Sequence, residues 1–341
     1  MTSIQAGRQP HPVAALHFGL FGALIIGGLV LLALGIIVDT NVGIVDMDLG
    51  QVTRALLVDD HSQARTIIWE LRFPRALVAA LVGGSLAVAG AVMQALTRNP
   101  LASPSLTGVS AGAGFAVVLS LVLWPARPLG LTPLIAFVGG MAGGTVVFSL
   151  ATRSVVTPVR LALAGFATAS FLLAMTTGLL LLSHDTVGTV YFWLAGGVAG
   201  RGWQHVEVIV PWAVVGISTA FIMSRQLNIL LLGEDVARGL GISTGRTRVI
   251  LMFLAVILTA AAVGVAGPIG FVGLIAPHVA RFLIGTDHYR VIPLAAVFGA
   301  TLVVWADVGA RNVQRPLEIP VGIVIAMLGG PFFLFLARRN A

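Results

Sequence analysis

The chain has 341 residues and a formal net charge of +7, and it is 57% hydrophobic but only 10% charged. A soluble domain covers itself with roughly 25% charged residues, so the composition excludes one. It contains no cysteine, which excludes disulfides and thiolate-held metals or clusters.

Mean hydropathy is +1.00. Many apolar runs reach about 18–25 residues, the length a helix needs to cross the hydrocarbon core. They do not alternate in polarity as the strands of a membrane barrel would. The composition predicts an all-α polytopic membrane protein. All 20 basic residues are arginine, so the chain offers no Schiff-base or phosphate-loop lysine. A pI of about 11.4 invites a nucleic-acid partner. The placement of the arginines explains it as topology instead, and no nucleic acid is expected.

In chain order, the pattern predicts about ten transmembrane helices. The first covers Leu16–Val38, with no cleaved leader expected before it. A polar segment, Asp39–Arg72, leads to the second, Phe73–Leu96, which ends at the turn Thr97–Ser103. The third, Pro104–Leu123, is rich in glycine and serine. The fourth and fifth are Leu134–Ala151 and Val159–Leu182. The loop Ser183–Arg201 leads to the sixth, Val206–Met223. A polar island, Gln226–Arg248, follows. The last four are Val249–Gly264, Ile269–Leu283, Ile292–Val308 and Val321–Leu336.

Ten spans put both termini on one side. That side then holds twelve arginines against three acids, and the other holds eight against ten. The positive-inside rule makes the termini and the island cytoplasmic. Within the island, Glu234, Asp235 and Arg238 lie between Gly233 and Gly239–Gly241. Leu232, Val236, Ala237 and Leu240 share one side at helical spacing. A short amphipathic helix is expected there, with those four residues as its buried face.

Several residues are candidates for function, each beside a plainer reading. Arg72 and Arg75 flank Pro74 at the outer end of the second span, and Arg311 lies at the outer end of the ninth. They are either interfacial arginines whose heads reach water or a docking point for an acidic soluble partner. Two arginines on a net-acidic face imply something for them to pair with. Asn99-Pro100-Leu101 reads as a tight turn or as a constriction at the cytoplasmic mouth of a path. Gln94, beside Met93, either bonds another helix or lines an aqueous path. Asp307 and Arg311 are spaced as an i, i+4 pair, although an ionisable residue in a span is also a functional candidate. His278, Asp287 and His288 lack a third and fourth ligand at workable spacing, so no metal site is expected. No phosphate-binding loop, nucleophile elbow or dinucleotide motif is present. The chain carries no means of energising transport and reads as a conduit driven by a partner.

Four stretches carry a family resemblance over nearly the whole chain. They are LRFPRALVAALVGGSLAVAGAVMQALTRNPLASPSLTGVSAGAG (71–114), LLGEDVARGLGIS (231–243), GPIGFVGLIAPHVARFLIGTDH (267–288), and ADVGAR with LEIPVGIVIAMLGGPFF (306–311 and 317–333). The chain resembles the FecCD-type permease subunits of type II ATP-binding-cassette importers, which handle ferric siderophores, haem and cobalamin. Two departures are visible: Thr107-Gly108 where the family often has Leu-Gly, and Asp287-His288-Tyr289 where it has Asp-His-Arg.

The resemblance implies a single permease domain over 1–341 with the type II importer fold, in the bacterial cytoplasmic membrane. It implies a second permease subunit, identical or paralogous. Two cytoplasmic ATPase subunits would bind the ATP and magnesium, leaving no cofactor in this chain. A periplasmic or lipid-anchored substrate-binding protein would deliver the cargo. By position, Arg72, Arg75 and Arg311 correspond to the arginines that meet acids of the binding protein. Leu232, Gly233, Glu234, Ala237, Arg238, Leu240 and Gly241 correspond to the coupling helices, about 227–245, that seat in the ATPase. Asn99, Leu101, Thr157 and Pro158 correspond to the cytoplasmic gate, and Met93 and Gln94 are expected along the path. A ferric siderophore is the expected cargo, with haem or cobalamin as alternatives. The rivals of other classes are an integral-membrane enzyme and an ion-coupled secondary transporter, which would need buried carboxylates near mid-membrane.

Overall fold

A computed structural model of the chain describes residues 12–41, 50, 54–55, 58, 62–103, 108–126, 128–151, 158–182, 193–313 and 317–340. Among the described residues the regular structure is helical. In chain order the helices are α1 (Pro12–Asn41), α2 (Phe73–Thr97), α3 (Val109–Leu123), α4 (Thr132–Ala151), α5 (Pro158–Leu182) and α6 (Trp203–Ile222). Then come α7 (Ser224–Leu231), α8 (Glu234–Gly239), α9 (Thr244–Ala266), α10 (Val272–Ile284), α11 (His288–Asn312) and α12 (Val321–Asn340). Seven of these are long and apolar enough to span a membrane, and α3, α10 and α12 are shorter apolar helices. Together they account for the ten expected spans. The island resolves into two short helices, α7 and α8, before α9 begins at Thr244.

Helix α2 is the axis of the subunit. It packs against α11, α9, α6 and α10, and nearly every residue from Pro74 to Gln94 is buried. Helices α1, α5 and α6 lie outside and keep most of their apolar residues exposed. In a chain of this hydropathy such faces suit lipid or the apolar side of another helix. With lipid tails as apolar as leucine, helices associate through close packing rather than hydrophobic burial. The α2 seams show how. A Cβ at Gly83 would overlap the Gly299 carbonyl on α11, and one at Gly90 would overlap the Gly273 carbonyl on α10. Backbone meets backbone at both points.

Two breaks shape the ends. Ahead of α2, Thr66–Arg72 winds as a π-helix, a form that often marks functional positions. At the far end, Arg98 closes α2 in the left-handed region, with φ 49°. Helix α2 has 25 residues, so its ends stand about 37 Å apart at 1.5 Å per residue.

Candidate functional site

At the N-terminal end of α2 the charged residues of three helices converge. Arg75 Nε donates to Asp307 Oδ2 and Nη2 to Asp307 Oδ1, both at 2.8 Å. Its Nη1 donates to Glu318 Oε2 at 2.9 Å and Oε1 at 3.1 Å. Arg311 Nη2 donates to the Asp39 carboxylate and, at 2.8 Å, to the Asp39 carbonyl. Arg311 Nε lies 3.5 Å from Asp307 Oδ2. Arg72 Nη1 donates to the carbonyls of Thr40 and Asn41 at 2.9 and 3.0 Å. Those carbonyls belong to the last turn of α1, where a helix leaves acceptors unpaired and favours positive charge.

All three arginines are 7% exposed, and Asp39 and Asp307 are fully buried. Charges at this depth persist only when paired. Here each guanidinium meets an acceptor from another part of the same chain. Arg75 and Arg311 thus meet acids of their own chain, and Arg72 meets carbonyls of α1. The i, i+4 contact of Asp307 with Arg311 exists, but the stronger partner of Asp307 is Arg75.

Above this network lies a cavity of about 410 Å³, lined among others by Glu70, Arg72, Arg75, Arg201 and Glu318. An aromatic cluster forms beside it. Trp69 stacks on Phe73 with centroids 5.6 Å apart, and Trp203 tilts against both. Trp203 Nε1 donates to the Trp69 carbonyl at 2.8 Å, pinning α6 to the π-helix. Arg201, two residues before Trp203, is partly buried, and burial pushes its guanidinium below the usual arginine value.

At the opposite end of α2, Arg98 Nη2 and Nε donate to the Leu230 carbonyl of α7 at 2.8 and 3.2 Å. Helix α7 is also tied to α11. Asn228 Nδ2 donates to Asp287 Oδ1 at 2.7 Å, and the His288 backbone N–H donates to Asn228 Oδ1 at 2.9 Å. Asp287 caps α11 through the Tyr289 N–H. Helix α8 follows through Gly233, whose φ of 118° is open to glycine, and turns into α9 through Gly241 at φ 78°.

The expected buried face of this segment is only partly buried. Ala237 is fully enclosed, but Leu232, Val236 and Leu240 are 63%, 48% and 58% exposed. Leu232 also precedes α8 rather than lying in it. A six-residue helix resting on one alanine leaves its larger apolar side chains uncovered. The Arg238 side chain sits on the exposed side of α8, while that of Glu234 lies outside the described residues.

Asn99 Oδ1 accepts the Leu101 N–H at 2.9 Å, the side-chain-stabilised turn its sequence suggests. Asn99 is exposed and Leu101 partly buried at the α7 end of α2. Pro158 is the first residue of α5, but its side chain and Thr157 lie outside the described residues. Met93 and Gln94 are buried in the subunit, at 2% and 4% exposure. Gln94 Nε2 donates to the Gly273 carbonyl at 3.0 Å, and its Oε1 accepts from Arg281. Gln94 thus serves as a helix-to-helix bond, and both residues are covered within the subunit. The sequence reading did not single out Asp39, Glu318, Arg98, Asn228 or Arg201. A signal for the first two existed, since buried arginines demand acids.

The helical membrane subunit, with a charged cavity at one end and exposed apolar residues around a short helix at the other, is of the transport-permease class. Residues 29–339 match the FecCD transport family, and the chain belongs to it. It is 45% identical to the Fe(3+)-citrate import system permease protein YfmD of Bacillus subtilis, over 92% of this chain and 93% of that one. It is 43% identical to the iron(3+)-hydroxamate import system permease protein FhuB of Bacillus subtilis, over 94% and 84% of the two chains. A solved metal-chelate type ABC transporter in an inward-facing conformation superposes with a TM-score of 0.81 at 28% identity, covering 93% of this chain and 99% of that one. Permeases of this kind form a transport path and are not catalysts.

Proposed function

We propose that this chain is one of two permease subunits surrounding the path of an importer for a ferric chelate of the siderophore or citrate kind. Two cytoplasmic ATPase subunits bind the ATP and magnesium, and a substrate-binding protein delivers the chelate. The arginine count favours a cytoplasmic island and cytoplasmic termini, and on that reading the cavity of Arg72, Arg75 and Arg311 opens outward and receives the binding protein. The ATPase meets α8. The iron chemistry is completed before transport, in line with the iron named for the two relatives.

The observation that carries this reading is the linkage of the two ends. The island is bonded to α2 through Arg98 and to α11 through Asn228. The same two helices carry Arg75, Asp307 and Arg311 at the other end. Movement of α7 and α8 by the ATPase therefore acts on the helices that form the outer cavity. Asp307 is occupied by arginines, which argues against a free carboxylate for ion coupling. Exposed Leu232, Val236 and Leu240 supply the apolar contact an ATPase groove needs.

The test is uptake into proteoliposomes holding the assembled importer. Iron-55 citrate, a ferric hydroxamate, haem and cobalamin are offered with the binding protein, with and without internal ATP. ATP-dependent uptake of a ferric chelate is expected. Uptake driven by an ion gradient without the ATPase overturns the reading, and uptake of cobalamin or haem alone reassigns the cargo.

A further inference from the structure

We propose that Arg201 is the anchor for an acidic side chain of the docking binding protein, with the paired arginines forming the floor beneath that contact. The proposal rests on the reading that the charged end receives such a protein, and it names the residue that does the receiving.

Arg75 and Arg311 already hold acids of their own chain, and Arg72 holds the end of α1. Arg201 lines the same cavity, yet its Nε is buried with no hydrogen-bond partner, and no carboxylate among the described residues pairs with it. A guanidinium drawn partly out of water without a partner is unfavourable, and a carboxylate entering the cavity relieves it.

The position is also fixed in advance. The Arg201 N–H donates to the Val198 carbonyl at 3.2 Å, and the Gly197 N–H to the Ala266 carbonyl at 2.7 Å. Two residues on, the Trp203 bond to Trp69 holds the chain against the π-helix. Little ordering remains to be done on binding.

The fork of guanidinium N–H donors matches the two oxygens of a carboxylate. Glu318 shows that a glutamate side chain is at home in this cavity: it lines it and bonds Arg75 Nη1. A partner's aspartate or glutamate finds Arg201 vacant where Arg75 is taken.

The assembled importer in lipid nanodiscs is titrated with a ferric-chelate substrate-binding protein of the same organism, using biolayer interferometry at low and physiological salt. Arg201→Glu is expected to weaken binding by about tenfold or more and to flatten its salt dependence. Arg201→Lys, which keeps the charge and loses the fork, is expected to fall between. Unchanged affinity in Arg201→Glu, with the importer intact by size exclusion, overturns the proposal and leaves docking at this end standing. Absence of any binding by the unaltered importer overturns the docking reading and the proposal with it. Ferric citrate without the binding protein forms a third arm. If it binds, and Arg201→Glu abolishes that, the cavity belongs to the free anionic chelate and the proposal falls. Should Arg201→Glu fail to assemble, Arg201→Gln decides in its place, and retained affinity there is equally fatal.

Discussion

Arg75 and Asp307 meet side-on across the contact between α2 and α11, through two parallel hydrogen bonds of 2.8 Å. They are 232 residues apart in sequence. Asp307 also lies within reach of Arg311, which in turn holds Asp39 of α1. One carboxylate therefore helps fix three helices at one end of the subunit.

Removing that carboxylate should be costly. In Asp307→Ala two buried guanidiniums lose a partner, and breaking a buried pair costs about 3–5 kcal/mol. A large drop in the thermal unfolding temperature of the detergent-solubilised protein is expected. The charge-swapped double variant, Arg75→Asp with Asp307→Arg, should recover part of it. A destabilisation below about 1 kcal/mol, the scale of a surface pair, would show that the network is solvated.

The glycine seams offer a sharper test of packing. Gly90→Val pushes side-chain carbons into the backbone of α10, whereas Gly22 on α1 has nothing within 4 Å of its would-be Cβ. Fluorescence-detected size exclusion should show loss of folded protein for Gly90→Val and an ordinary profile for Gly22→Ala. Equal behaviour of the two would mean the seam can open.

At the island, Val236→Asp and Leu240→Asp alter exposed residues, so the subunit should fold normally. Co-purification with the ATPase should fall by tenfold or more, on the order of 1.4 kcal/mol or greater. Full recovery of ATPase by either variant places the contact elsewhere. Ala237→Leu is the contrast, since Ala237 is fully enclosed, and it should lower thermal stability.

Asn228 links α7 to α11 by side-chain bonds to both Asp287 and His288. Asn228→Ala removes them, with a stability cost of about 1–3 kcal/mol. The expected outcome is ATP hydrolysis that the binding protein no longer stimulates, with docking unchanged. Normal stimulation would take the link out of the transmission route.

The spans were legible because the hydrocarbon core sets their length. The expected Phe73–Leu96 is helix to Thr97, and the expected Ile292–Val308 lies wholly within α11. The third span was expected from Pro104, but its helix starts at Val109, behind Gly108 at φ 71°. That start depends on backbone geometry rather than hydropathy. Arg75 was legible as a residue in need of an acid, but no local pattern names partners 232 and 243 positions away. Asp39 read as part of a polar segment, when it closes a buried ion pair. Helical spacing grouped Leu232, Val236, Ala237 and Leu240 on one buried side, but only Ala237 is enclosed and Leu232 precedes α8. Periodicity reports which residues share a side, and it is silent on whether the same chain covers it.

The seam at Gly90 and Gly273 has a mechanical consequence. Helix α2 has no proline beyond its first turn, so between Arg75 and Arg98 it behaves as a stiff rod touching a fixed point. Gly90 lies about 12 Å from Arg98 and about 22 Å from Arg75 along the axis. The Gly83 seam against Gly299 is a second such point, about 22 Å from Arg98 and about 12 Å from Arg75. Held at both, α2 has no room to tilt alone: a push at Arg98 reaches the arginine cluster only if α10 and α11 move with it.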